Sequence, residues 1–209
     1  MNSYLERIEQ AFPRMAAILK PCESEHFAIL HFTVTEEEVR MCQMIDRIHG
    51  RREYYGFKAG EYVRLCLKPV TDDTMMSDTF MEKMSNYDFV QDAHGDVLIA
   101  GLGIGMVLLA VQDLSSVSSV TVVEIEQEVI DLVKQQLPLN QKVSIVQGDI
   151  FTFETTAKFD TIYFDIWDSI CGYNWEGMKK LQRRFRSKLK KGGWMGCWRK
   201  EDCRERARS

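Results

Sequence analysis

Glycines and carboxylates recur in this chain where short apolar runs end. Gly101, Gly103 and Gly105 follow the run Val97–Ala100, Glu124 closes Ser119–Glu124, Asp149 follows Val143–Gln147, and Asp165 closes Thr161–Asp165. A glycine turn after a strand lets the backbone bend sharply and approach a ligand, because no Cβ intervenes. The helix behind it presents free N–H groups and a positive dipole end, which suits a phosphate or an amino-acid carboxylate. Glu124, 19 residues beyond Gly105, is placed to accept hydrogen bonds from both hydroxyls of a ribose. Asp149 can accept from the exocyclic amine of an adenine, with Ile125 and Ile150 on the two faces of the ring. Each feature also has a plainer reading: glycines for helix–sheet packing, Glu124 as a helix cap, Gly148-Asp149 as a turn. Four of them in series at the carboxyl ends of successive strands are hard to attribute to packing, since that edge of an open parallel sheet is where ligands bind.

The elements that must position these residues follow from periodicity. From Asp96 onward, apolar strands alternate with helices: Val97–Ala100, helix Ile104–Leu114, Ser119–Glu124, helix Glu126–Gln136, Val143–Gln147, Thr161–Asp165, helix Glu176–Leu189 and Trp194–Trp198, with Gly192-Gly193 breaking the chain before the last. Continuous apolar strands between helices predict an α/β fold, a mainly parallel sheet of about five strands covered on both faces. Residues 1–92 read as a smaller α+β region that covers the site and selects substrate, ahead of a ligand-binding domain over 93–209. That region holds a helix Tyr4–Ile18 that Pro13 kinks or breaks, and a strand His26–Val34. A capping box of Thr35 and Glu38 opens a helix to about Ile48, stopped by Gly50. A hairpin follows over Arg52–Pro69, and a helix over Ser77–Val90. Met75, Met76, Met81 and Met84 read as flexible core filler.

The net charge of −4 gives the whole molecule no strong preference among partners. From Gly177 onward, however, 13 Lys and Arg stand against 3 Asp and Glu, a balance of +10 that leaves −14 for the rest. The dense run Lys179–Lys191 reads as a helix with Leu181, Phe185 and Leu189 as its buried stripe and its cations in solvent; a nucleic-acid contact is the alternative. Arg204–Arg208 reads as a fraying tail. Six cysteines without CxxC or zinc-like spacing predict no metal, and read as small buried hydrophobes in a reducing, cytoplasmic setting. No apolar run has the length of a membrane span. The four histidines are scattered and read as structural or surface residues. Trp167, Tyr173 and Trp175 follow Asp165 either as walls of a substrate pocket or as helix packing.

In this order, DVLIAGLGIG, VVEIEQEVI, VQGDIF and FDTIYFDIWD resemble the successive motifs of class I S-adenosylmethionine-dependent methyltransferases, over about residues 75 to 198. The resemblance implies a Rossmann-like methyltransferase fold with S-adenosylmethionine as cofactor and methyl transfer as the activity. Gly101, Gly103 and Gly105 would wrap the methionine part, Glu124 would hold the ribose, and Ile125, Asp149 and Ile150 the adenine. Asp165 would lie near the sulfonium. Within that superfamily the texture is similar to spermidine synthase-like proteins, in which a strand ends in Asp with a second Asp three residues on, as Asp165 and Asp168 do here. That likeness implies an acid pair that steers and deprotonates an attacking amine, and aminopropyl transfer as the alternative activity. A non-catalytic ligand-binding protein is the third reading. Ser169 stands where those synthases carry Pro, and Phe80-Met81-Glu82 where they carry Tyr-His-Glu. The usual seven-stranded sheet ends in a hairpin for which too few residues follow Trp198, so the sheet is expected to stop at five strands. Part of the N-terminal region is expected to cover its edge, and the short edge offers a route to a homodimer.

Overall fold

The computed structural model describes residues 3–50, 56–69 and 74–208. The first helix, α1 (Ser3–Ala11), stops before Pro13, which has no N–H to donate into a helix, and a short 3₁₀ turn Met15–Ala17 follows. The strands β1 (Cys22–Glu23), β2 (Phe27–Val34), β3 (Gly60–Leu67) and β4 (Thr74–Ser77) form an antiparallel sheet in the order β1-β2-β3-β4. Between β2 and β3 runs α2 (Glu36–His49). Thr35 accepts from the Glu38 N–H, the Glu38 carboxylate accepts from the Thr35 N–H, and Gly50 ends the helix at φ 65°. Thr35→Ala removes half of that reciprocal cap, and is expected to lower stability by about 1 kcal/mol in chemical denaturation.

Among the described residues, the hairpin expected within Arg52–Pro69 is not formed. Arg52–Tyr55 lie outside the described residues, and β3 pairs instead with β2, from Phe27 opposite Leu67 to Val34 opposite Gly60. The other edge of β3 pairs with β4, so neither edge is left for a partner within Arg52–Pro69.

The second half is the parallel sheet. After α3 (Phe80–Asp92) come β5 (Gly95–Ala100), α4 (Met106–Gln112), β6 (Val117–Glu124), α5 (Gln127–Lys134), β7 (Val143–Gln147), β8 (Phe159–Phe164), α6 (Asn174–Phe185), β9 (Leu189–Cys197) and α7 (Lys200–Arg206). The five strands run parallel in the order β7-β6-β5-β8-β9. The expected α/β, Rossmann-like sheet of five strands is borne out. Strand order reverses beside β5, so a crevice opens at the carboxyl ends of β5 and its neighbours. Residues alternate between the two faces. Val97, Ile99 and Tyr163 join one core with α1, α3, α4 and α5, while Leu98, Ala100, Ile162 and Phe164 join another with Met178, Leu181 and Phe185 of α6.

Two C-terminal expectations are corrected. β9 begins at Leu189, so the basic run divides between α6 and a strand, and Gly192-Gly193 lie inside that strand, where the register with β8 shifts. Lys190 there bonds Asp96 at 2.8 Å and Asp160 at 2.7 Å. The tail is not frayed through Arg206: α7 buries Cys203 completely. Cys66 and Cys197 are also buried, whereas Cys22, Cys42 and Cys171 are only half-buried.

The α3 helix is the link that matters for the site. Its residues 82, 85, 86 and 89 share one face. The Tyr163 hydroxyl donates to Asn86 Oδ1 at 2.8 Å, Phe89 stacks on Tyr163 at 4.3 Å, and Trp198 Nε1 donates to Ser85 Oγ at 3.0 Å. Through α3 the N-terminal region reaches the edge strand β9, where Phe89 meets Trp194. Asp78, just before α3, accepts from the Val63 and Met15 N–H groups and ties the helix to the antiparallel sheet. On the other side His26 bonds Glu128 of α5 at 2.7 Å.

Candidate functional site

The strand-end residues converge on one cavity of about 450 Å³. Gly101, Gly103, Glu124, Ile125, Asp149, Ile150, Asp165 and Asp168 all line it. Gly105 does not. It begins α4 at φ 78°, and a Cβ there would run into Leu137, so its role is helix packing. Gly101 has φ 96°, and a Cβ on it would fall on the carbonyl oxygen of Asp165. Gly103 faces Met76, whose sulfur occupies the place a side chain would take.

Glu124 is buried, and each carboxylate oxygen is already oriented. Oε2 accepts from the Leu102 N–H at 2.7 Å and Oε1 from the Glu126 N–H at 2.9 Å. It therefore fixes the glycine turn and leads into α5 at the same time, with a second lone pair on each oxygen left for a hydroxyl. Asp149 also has two roles. Its Oδ1 accepts from the Phe151 N–H at 2.8 Å, closing a local turn, while the residue lines the cavity. Ile150 is buried and Ile125 exposed, both at the cavity.

At the other end stand Asp165, Asp168 and a residue outside the expected set, Glu82 of α3. No described residue hydrogen-bonds the carboxylates of Glu82 or Asp165. Burial pushes Glu82 up to about 7, against the opposing pull of the Arg199 charge. Burial, reinforced by repulsion from Glu82, lifts Asp165 well above the usual carboxylate range. The two acids thus share one electrostatic environment and hold protons more tightly than surface carboxylates do. Arg199 is held in the left-handed region at φ 47° and is tied to Asp202 at 2.8 Å. Asp168 is exposed at the mouth.

The aromatic residues divide. Trp167 lines the cavity, Tyr173 is 93% exposed, and Trp175 packs beside the α6 core. Trp198, Phe27, Leu65, Leu67, Met75 and Met76 also line the wall. The last five come from the antiparallel sheet, so the N-terminal region forms part of the cavity, and Met75 and Met76 are more than core filler. Nothing in their apolar alternation distinguishes them from core residues. Glu82 carried a weak signal, its place in the segment before the glycine turn. Among the described residues no cluster of His, Cys, Asp and Glu is placed to hold a metal ion, and no helix is long and apolar enough to cross a membrane.

A glycine turn after the central strand, acids at the ends of the flanking strands and a cavity over the strand-order reversal define a Rossmann-like ligand-binding domain. The spermine/spermidine synthase domain model matches residues 76–204, and the chain belongs to that family. The family likeness read in the sequence is borne out. Solved structures with a similar fold include the N-methyltransferase NodS from Bradyrhizobium japonicum, 20% identical over 59% of this chain and 72% of that one at a TM-score of 0.45. The CcbJ methyltransferase from Streptomyces caelestis is 22% identical over 53% of this chain and 46% of that one at 0.44. A DhpI complex with SAH is 20% identical over 54% of this chain and 52% of that one at 0.44. The chain spans about half the length of the CcbJ and DhpI structures. A search of curated proteins finds no match.

Proposed function

We propose that the cavity binds S-adenosylmethionine and that the chain transfers its methyl group to an acceptor. The observation that carries this reading is Glu124, buried and oriented by two backbone N–H groups at the glycine turn, with Ile125, Asp149 and Ile150 beyond it on one side and Asp165 on the other. Glu124 would hold the ribose, the Ile125–Ile150 end the adenine, and the stretch of cavity along the Gly101 and Gly103 backbone the methionine portion. A cavity of about 450 Å³ suits a ligand of that size. The bound sulfonium supplies an activated methyl group, so the chain's own task is alignment and exclusion of water. Asp165 and Asp168 would orient the acceptor and take its proton.

Aminopropyl transfer from decarboxylated S-adenosylmethionine is the second reading. Two observations favour it: the family, and the placement of Glu82 with Asp165 at the same cavity end, which favours an ammonium over a carboxylate.

Calorimetric titration with S-adenosylmethionine, S-adenosylhomocysteine and decarboxylated S-adenosylmethionine separates these readings. Binding of the first two is expected, with affinity at least about tenfold weaker in Glu124→Ala and a circular dichroism spectrum that shows the variant folded. Preference for the decarboxylated ligand would establish the second reading instead. Binding of none would overturn both.

A further inference from the structure

The helix α2 turns its apolar face outward. Its buried residues are Val39 and Asp46, with Cys42 and Gln43 half-buried between them. These four recur at the spacing of a single helix face. The opposite face repeats that spacing with Met41, Met44, Ile45 and Ile48, which are 54, 56, 41 and 69% exposed. Single exposed apolar residues are ordinary, but four in one stripe on one helix mark a contact surface. The stripe is separate from the cavity, to which α2 contributes no residue.

Charge identifies the occupant. The first turn of α2 carries Glu36, Glu37 and Glu38, and the last turn Arg47 and His49. We propose that α2 is a dimerisation helix, on which two copies of the chain pack their Met41–Ile48 stripes antiparallel about a twofold axis near Met44 and Ile45. That arrangement sets Glu37 and Glu38 of one copy beside the end bearing Arg47 and His49 of the other, and opposes the helix dipoles favourably. A parallel pairing would put the acidic turns together. The three glutamates also disfavour an anionic lipid surface. Because a twofold contact is self-complementary, one stripe supplies both halves of it. Methionine side chains can adjust to fill the seam. The contact does not use the β7 and β9 edges of the parallel sheet.

Sedimentation velocity from about 1 to about 100 μM is the test, a range that covers weak and moderate dimers. A reversible dimer is expected. Ile45→Glu should raise its dissociation constant at least about 100-fold, because the twofold axis places two buried charges in one contact. The folding signal of the isolated Ile45→Glu chain should be unchanged, since Ile45 is exposed in the single chain. Glu37→Lys, which leaves the Thr35–Glu38 cap intact, should weaken the dimer, and adding Arg47→Glu should restore it in part. A wild-type monomer throughout, with the stripe left for lipid or another protein, would overturn the proposal. So would a dimer that survives Ile45→Glu, or a charge exchange that fails to rescue.

Discussion

Gly101→Ala is expected to lower stability by about 3 kcal/mol or more and to abolish ligand binding. Two costs act together at this position. Its φ of 96° is one that an L side chain rarely adopts, and a Cβ would land on the backbone carbonyl of Asp165. The obstacle cannot swing aside. Ala100 is in register with Phe164, and the Asp165 N–H donates to the Ala100 carbonyl at 2.8 Å, so relief requires β5 and β8 to part where the site is built. Gly50→Ala provides the comparison. Gly50 has φ 65° with nothing within 4 Å of the added carbon, so only the conformational cost of about 1 kcal/mol remains. Gly103→Ala lies between the two, since its neighbour is the thioether of Met76, which can move at the expense of cavity space. Chemical denaturation of the three variants should rank them Gly101, Gly103, Gly50 in order of damage. A Gly101→Ala protein as stable as Gly50→Ala would show that this turn is not pinned as described.

What could be read from the chain depended on the range of the interaction responsible. The Thr35–Glu38 capping box and the Gly50 stop are local, and the structure has both. The β5–glycine–α4 unit and the acids that end the flanking strands are also local signals, and they lie together because parallel strands bring their carboxyl ends to one edge. The failures involve partners distant in sequence. The spacing of Leu181, Phe185 and Leu189 fits a helix, yet Leu189 pairs opposite Phe159, and Lys190 meets Asp96 and Asp160, which no helical periodicity could foresee. Arg204–Arg208 reads as a polar tail unless Cys203 is known to find a buried place beside α6. Glu82 is the instructive omission. Its importance arises from Asp165, more than eighty residues away, and from the anchoring of α3 by Asn86, Ser85 and Phe89.

That anchoring makes Glu82→Gln the most informative change at the site. In the folded chain Glu82 keeps its proton up to about 7, against an ordinary value of 4.5. The sign follows directly. Above pH 4.5 the unfolded chain releases this proton into water at little cost, whereas the folded chain must either retain it or hold a half-buried charge beside Asp165. Stability is therefore fully present below about 4.5, and is lost as pH rises to about 7, by about 3 kcal/mol in all. Glutamine fills the same volume without ionising. Glu82→Gln should match the wild type in urea denaturation at pH 4, and should exceed it at pH 8 by up to about 3 kcal/mol. Function should move the opposite way. A cationic ligand favours the ionised carboxylate, so wild-type affinity should climb as pH passes 7, with a proton released on binding at lower pH. In the variant that climb should be much flatter. A stability difference that does not change with pH would remove Glu82 from this role and leave the alkaline loss, if any, to Asp165. A variant that is more stable at pH 8 and binds more weakly there would show that the fold tolerates an acid pair in the cavity at a cost because the ligand needs its charge.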